Sequence, residues 1–222
     1  LLWLHASQLN EDEDDNTFFG MDFNFTPLRK LLLYGEFLID DFQIEKKSAS
    51  DREPNELGYS LGLKLGDFLG LNGSEFNIEY LRINNWTYNQ KNPWNRYLYK
   101  NKHIGNPLGP DADNLFISIG GYLKKGLEVK ISYELTRQGE GEVTSLWNEP
   151  WLYIEDYKES FPSGIVEKTN KFQLSLNYNY QSIFRANLSF DYVKISNSEN
   201  VSGSDEKFYR LSILLHYHLV KR

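Results

Sequence analysis

The sequence predicts an all-β fold, an antiparallel up-and-down transmembrane β-barrel, and three observations carry that expectation. Apolar and polar residues alternate over runs of about ten residues, short and long connections alternate between the runs, and no run reaches the ~18 apolar residues of a spanning helix. From Asn170 to Tyr180, Phe172, Leu174, Leu176, Tyr178 and Tyr180 fall on one face, with Lys171, Gln173, Ser175, Asn177 and Asn179 on the other. A bilayer demands such strands of a barrel wall, apolar towards lipid and polar towards the lumen. The mean hydropathy of -0.56 fits, because a spanning strand meets lipid only at every second residue.

Taken in order, the strands repeat this pattern. Phe19, Met21, Phe23 and Phe25 oppose Gly20, Asp22 and Asn24; Leu31, Leu33, Phe37 and Ile39 oppose Tyr34, Glu36 and Asp40, with Leu32 and Leu38 pointing inward. Leu57, Tyr59, Leu61, Leu63 and Leu65 oppose Gly58, Ser60, Gly62, Lys64 and Gly66. Phe76, Ile78 and Tyr80 oppose Glu75, Asn77 and Glu79, after which Leu81 and Ile83 change phase, as at a bulge or a membrane edge. Leu115, Ile117 and Ile119 lead into the tight turn Lys124-Lys125-Gly126, and Leu127, Val129, Ile131, Tyr133 and Leu135 return. Phe184, Ala186, Leu188, Phe190 and Tyr192 follow the Asn170–Tyr180 strand. Tyr209, Leu211, Ile213, Leu215, Tyr217 and Leu219 close the series, with Arg210, Ser212, His216 and His218 inward.

Connections at 27–30, 66–74, 124–126 and 181–183 are short, whereas those at 41–54, 87–113, 138–169 and 196–205 are long and polar. All long loops therefore share one rim, and in an outer-membrane barrel that rim faces outside. The acidic run Glu11–Asp15 falls on it by the same parity. A soluble β-sandwich also alternates, but its strands average about 5 to 6 residues, and Greek-key connections would break the short-long rhythm.

The 222 residues suit one β domain spanning 1–222, and the opening Leu1-Leu2-Trp3-Leu4 already reads as strand, so further strands are expected upstream. With no cysteine there is no disulfide framework or thiolate metal site. A net charge of -7 without a basic stripe excludes nucleic acid as a partner. The expected surroundings are outer-membrane lipid around a monomer.

The richest chemistry lies between the fourth and fifth strands, where Trp86, Tyr88, Trp94, Tyr97, Tyr99 and His103 precede Gly105-Asn-Pro-Leu-Gly-Pro-Asp-Ala-Asp113. Flat aromatic faces take the C–H face of a sugar ring, while Asn, Asp and His take its hydroxyls, so polysaccharide binding is the functional reading. The same rings also suit an interfacial girdle that holds the loop shut. Asp111 and Asp113 fit a side-chain-capped turn better than a calcium site. Trp147, Trp151 and Tyr153 form a second aromatic cluster beside Arg137, Glu140 and Glu142 on the same rim. The inward charges are of both signs, which leaves open a porin-like channel. No nucleophile, paired-carboxylate or metal motif emerges around His5, His103, His216 or His218, so neither catalysis nor a cofactor is expected.

The segment 80–143 carries Trp86-Thr-Tyr88, Tyr97, Tyr99, His103-Ile-Gly-Asn-Pro-Leu-Gly109-Pro110-Asp111-Ala-Asp113 and Tyr133-Glu-Leu-Thr-Arg137-Gln-Gly139-Glu140. On these residues rests a resemblance to the bacterial outer-membrane capsule assembly family Wzi. It implies a barrel of about eighteen strands, of which roughly ten in this chain would form the C-terminal half, and an outer-membrane lectin that retains capsular polysaccharide. The end at Leu219-Val-Lys-Arg222 departs from the terminal aromatic of many outer-membrane barrels.

Overall fold

The computed structural model describes residues 17–42, 52–100, 102–181 and 183–217. The expected strand at Leu1–Leu4, the acidic run Glu11–Asp15 and the last residues of the final strand lie outside them. Eleven strands follow in order: β1 (Phe19–Leu28), β2 (Leu31–Asp41), β3 (Glu56–Gly66), β4 (Ser74–Ile83), β5 (Leu98–Tyr99), β6 (Lys102–His103), β7 (Ala112–Lys124), β8 (Leu127–Gln138), β9 (Glu167–Tyr180), β10 (Phe184–Ser196) and β11 (Glu206–Tyr217). One short helix, α1 (Pro150–Tyr153), interrupts the loop after β8. No helix among the described residues is long and apolar enough to cross a membrane, which says nothing of strands.

Nine strands form one antiparallel meander in the order β1-β2-β3-β4-β7-β8-β9-β10-β11, and β5 pairs with β6 as a separate hairpin. Registry aligns the side-chain alternation of all nine. Phe25, Leu33, Leu63, Ile78, Ile117, Tyr133, Phe172, Tyr192 and Tyr209 are successive cross-strand partners, an unbroken apolar row on one face. The opposite face carries Lys64, Asn77, Ser118, Ser132, Gln173, Asp191 and Arg210 in register. A one-residue slip anywhere would mix the two, so this continuity fixes the pairing. The apolar face lies open, with Ile131 60% and Ile213 64% exposed, whereas Ser118 and Ser132 on the polar face are buried. Tyr133, Phe172, Tyr192 and Tyr209 pack ring to ring at 4.7, 6.4 and 5.3 Å, an aromatic band on the apolar face.

Among the described residues the sheet holds nine strands, with the expected strand at Leu1–Leu4 outside them, and β1 and β11 are its edges. Because nine strands alternate in direction, these edges run parallel and cannot pair with each other antiparallel. The phase change at Leu81 and Ile83 is not a bulge, since β4 keeps unbroken register with both neighbours through Ile83. Instead the inner face itself turns apolar there. Ile83 is buried with Tyr88 and Val143, and Leu38, Leu81, Tyr97 and Leu98 pack around them. The core of the described residues thus lies between the inner face near the long-loop rim and the loops that fold onto it.

Candidate functional site

All four long connections leave the same end of the sheet, after β2, β4, β8 and β10. The loop 84–111 is fixed first at its base. Trp86 and Tyr88 adopt left-handed backbone conformations (φ 70° and 73°), costly for large side chains. Both are buried, and each is held from two sides. The Tyr88 N–H donates to Asp40 Oδ2 (2.7 Å), while its ring stacks on Tyr97 at 5.7 Å. Burial holds the Tyr88 phenol above its ordinary pKa. The Trp86 ring meets Trp147 and Trp151 edge-on at 5.2 and 5.4 Å, and its indole N–H donates to Glu159 Oε1 at 2.6 Å. Asn85 donates to the same oxygen at 2.8 Å. Burial pushes the Glu159 carboxyl up to about 6, against the pull of these donors, and the neighbouring Tyr157 hydroxyl up to about 12.

Asp111 is a second anchor, at 0% exposure. Its carboxylate accepts from Gly141 N (3.0 Å), Ser163 N (2.9 Å) and the Ser163 hydroxyl (2.5 Å). The expected self-capped turn is therefore replaced by bonds to residues far along the chain, and the loops after β4 and β8 become one body. Gly139 has to be glycine for this: a Cβ there would lie 1.9 Å from Asp111 Oδ2. Close by, Arg137 forks onto Asp113, donating from Nε at 2.9 Å and also from Nη2, and the Tyr80 hydroxyl donates to Asp113 at 3.0 Å. Gln138 donates to the Pro110 carbonyl at 2.8 Å. The segments around Pro110-Asp111 and Arg137-Gly139 thus interlock, with Asp113 and Arg137 as cross-strand partners.

The anticipated residues separate by exposure. Trp86, Tyr88, Asp111, Asp113 and Trp151 are buried, and Tyr97, Arg137 and Trp147 are partly so. Trp94 (75% exposed), Tyr99 (65%) and the exposed His103 remain available on the outward part of the loop. A cleft of about 370 Å³ opens between three loops and is lined by His103, Gln138, Glu142, Thr144 and Asn200 among others. Another, about 350 Å³, lies between the inner face and the loop, with Glu36, Ser60 and Asn106 facing Tyr88 and Tyr97. Hydroxyl, amide and carboxylate groups beside flat rings are what sugar rings need. Among the described residues no group of three or more His, Cys, Asp or Glu is arranged for a metal ion.

Sequence reasoning missed Glu159, Ser163 and Asn200, the last donating to the Gln138 and Ile165 carbonyls at 3.1 and 2.6 Å. Their partners lie 35 to 74 positions away along the chain, so no local motif announces them. The family model described as capsule assembly protein Wzi matches residues 4–209. No curated protein and no solved structure matches the chain.

Proposed function

Because the chain belongs to the capsule assembly protein Wzi family, we propose that it is an outer-membrane protein that helps assemble capsule by holding capsular polysaccharide at its long-loop rim, and that it catalyses no reaction. The apolar face lies against lipid, the aromatic band sits at the interface, and the long loops face outside. One observation carries the binding role. The loop 84–111 is locked down by buried aromatics and carboxylates while Trp94 and Tyr99 stay exposed on it, a rigid platform with open rings. The test is cell-surface retention of polysaccharide by a Trp94→Ala/Tyr99→Ala variant. These side chains lie outside the packed base, so the variant should fold and should shed polysaccharide into the medium. Full retention by a folded variant would overturn the assignment of these rings.

The polar inward row motivates a second reading, a porin-like channel for small polar solutes. The packing of Tyr88, Tyr97 and Val143 against inward Leu38, Leu81 and Ile83 argues against a free passage at this end of the sheet. Conductance of the full-length protein in planar bilayers separates the readings: a steady open pore without affinity for glycan favours the channel.

A further inference from the structure

The chain as a whole is acidic, with a net charge of -7, yet the loop 84–111 inverts that sign. It carries Lys91, Arg96, Lys100 and Lys102 against one carboxylate, Asp111, which is buried and engaged with Gly141 and Ser163. The four cations are not equivalent. Arg96 is turned inward as a clamp, its guanidinium donating to the carbonyls of Gln90, Thr144 and Ser145 at 3.1 to 3.3 Å. Lys91 meets Glu149 only at 3.4 Å. Lys100 and Lys102, at the turn of the β5–β6 hairpin, have no anionic partner among the described residues. The Lys100 ammonium instead lies 5.3 Å from the centre of the exposed Tyr99 ring. His103 follows, also exposed, with Trp94 on the same loop.

We propose that this hairpin binds an acidic glycan, one whose rings carry carboxylates, through Trp94 and Tyr99 as stacking faces and Lys100 and Lys102 as charge partners. This rests on the polysaccharide-holding role above and specifies the class of sugar. A uronate has what the arrangement asks for: an apolar C–H face for the ring and a carboxylate at its edge for the neighbouring ammonium. The surface just below selects in the same direction. The space beneath the loop is lined by Asp22, Glu36 and Glu79, and Asp22 and Glu36 are direct cross-strand partners. Like charges so placed repel an anionic chain. The acidic polymer is therefore held at the rim rather than drawn down past Asp22 and Glu36 at this end of the sheet, which suits retention rather than passage.

The test uses the full-length protein in detergent, with oligogalacturonate and its methyl ester as probes, the same rings with and without charge. Oligogalacturonate should bind at least tenfold more tightly than the ester, and its affinity should fall steeply with salt. Lys100→Gln/Lys102→Gln should lose about tenfold for the acid and nothing for the ester. Equal binding of acid and ester, or an unchanged affinity in the double lysine variant, overturns the charge selectivity and leaves a neutral-glycan platform. Binding of neither probe by a protein that still retains polysaccharide on cells overturns this inference alone. Binding of lipopolysaccharide but not oligogalacturonate assigns the hairpin to lipid phosphates and also overturns it.

Discussion

At the residue scale the long loops depend on a few buried carboxylates, and the two most telling behave differently. Asp111 is surrounded by N–H and O–H donors, so its charge is well satisfied. Asp111→Ala leaves those donors unpaired in a buried place, at a cost of about 2 to 4 kcal/mol to loop docking. Limited proteolysis should then cut within 139–166 in the variant while the sheet resists. An uncut loop would mean that other contacts suffice. Glu159 is the contrary case, since burial has raised its pKa from 4.5 to about 6. A carboxyl raised on docking favours the docked loop in its protonated form. That contribution is complete below pH 4.5, declines as pH rises through 6, and is gone above about pH 7. Glu159→Gln keeps an acceptor for Trp86 and Asn85 without the buried charge, so it should firm the loop at pH 7.5 by up to about 2 kcal/mol. Hydrogen exchange of 84–87, the stretch that Glu159 holds through Asn85 and Trp86, should then lose part of its pH dependence between 4.5 and 7 beyond the intrinsic amide trend, while Tyr88, held by Asp40, keeps its own.

At the element scale, short turns set the registry on which the two-faced sheet depends. Gly126 has φ 82°, and a Cβ added there would lie 2.4 Å from the Asn179 carbonyl oxygen. Gly126→Ala therefore meets both backbone strain and a clash with the neighbouring strand, and should destabilise by about 1 to 3 kcal/mol. A lower midpoint in urea unfolding of the membrane-reconstituted protein would show it; an unchanged midpoint would mean that the β7–β8 turn can relax. These strands and turns were legible in the sequence because period-two alternation is a local signal, and side chains such as Phe172 and Leu174 report their face directly. Leu81 and Ile83 misled for a physical reason: they are apolar because a loop remote in sequence covers them, not because the strand shifts. Proline 150 begins a single helical turn too short to give a period. At the site, the open rings and the Pro110–Asp113 segment could be picked out by residue type. Which rings are buried could not, since that depends on partners such as Glu159 and Ser163 that only the folded loops bring close.

At the scale of the whole molecule, the parallel orientation of β1 and β11 sets a parity rule. An all-antiparallel closed barrel containing these nine strands needs an odd number of others, which agrees with the even totals of bacterial barrels. A barrel of about eighteen strands, the expectation from the sequence, would obey that rule. Whether this sheet forms a wall in a bilayer depends on the environment of its apolar face. Ile131 and Ser132 are neighbours on β8 with opposite fates, Ile131 60% exposed on the outer face and Ser132 buried on the inner one. A charge at Ile131 near the midplane should cost about 2 to 4 kcal/mol of membrane stability. Lys130 faces the other way and already carries a charge, loosely paired with Glu75 at 3.4 Å, so Lys130→Gln should be nearly silent. Comparing Ile131→Lys with Lys130→Gln in the full-length protein, by urea titration in lipid vesicles, separates a lipid wall from a water-soluble sheet. In a soluble protein with this face exposed to water, Ile131→Lys would be harmless or would improve solubility, and the intact chain would remain in buffer without detergent. That result would remove the membrane from the account, and the cell-surface role with it.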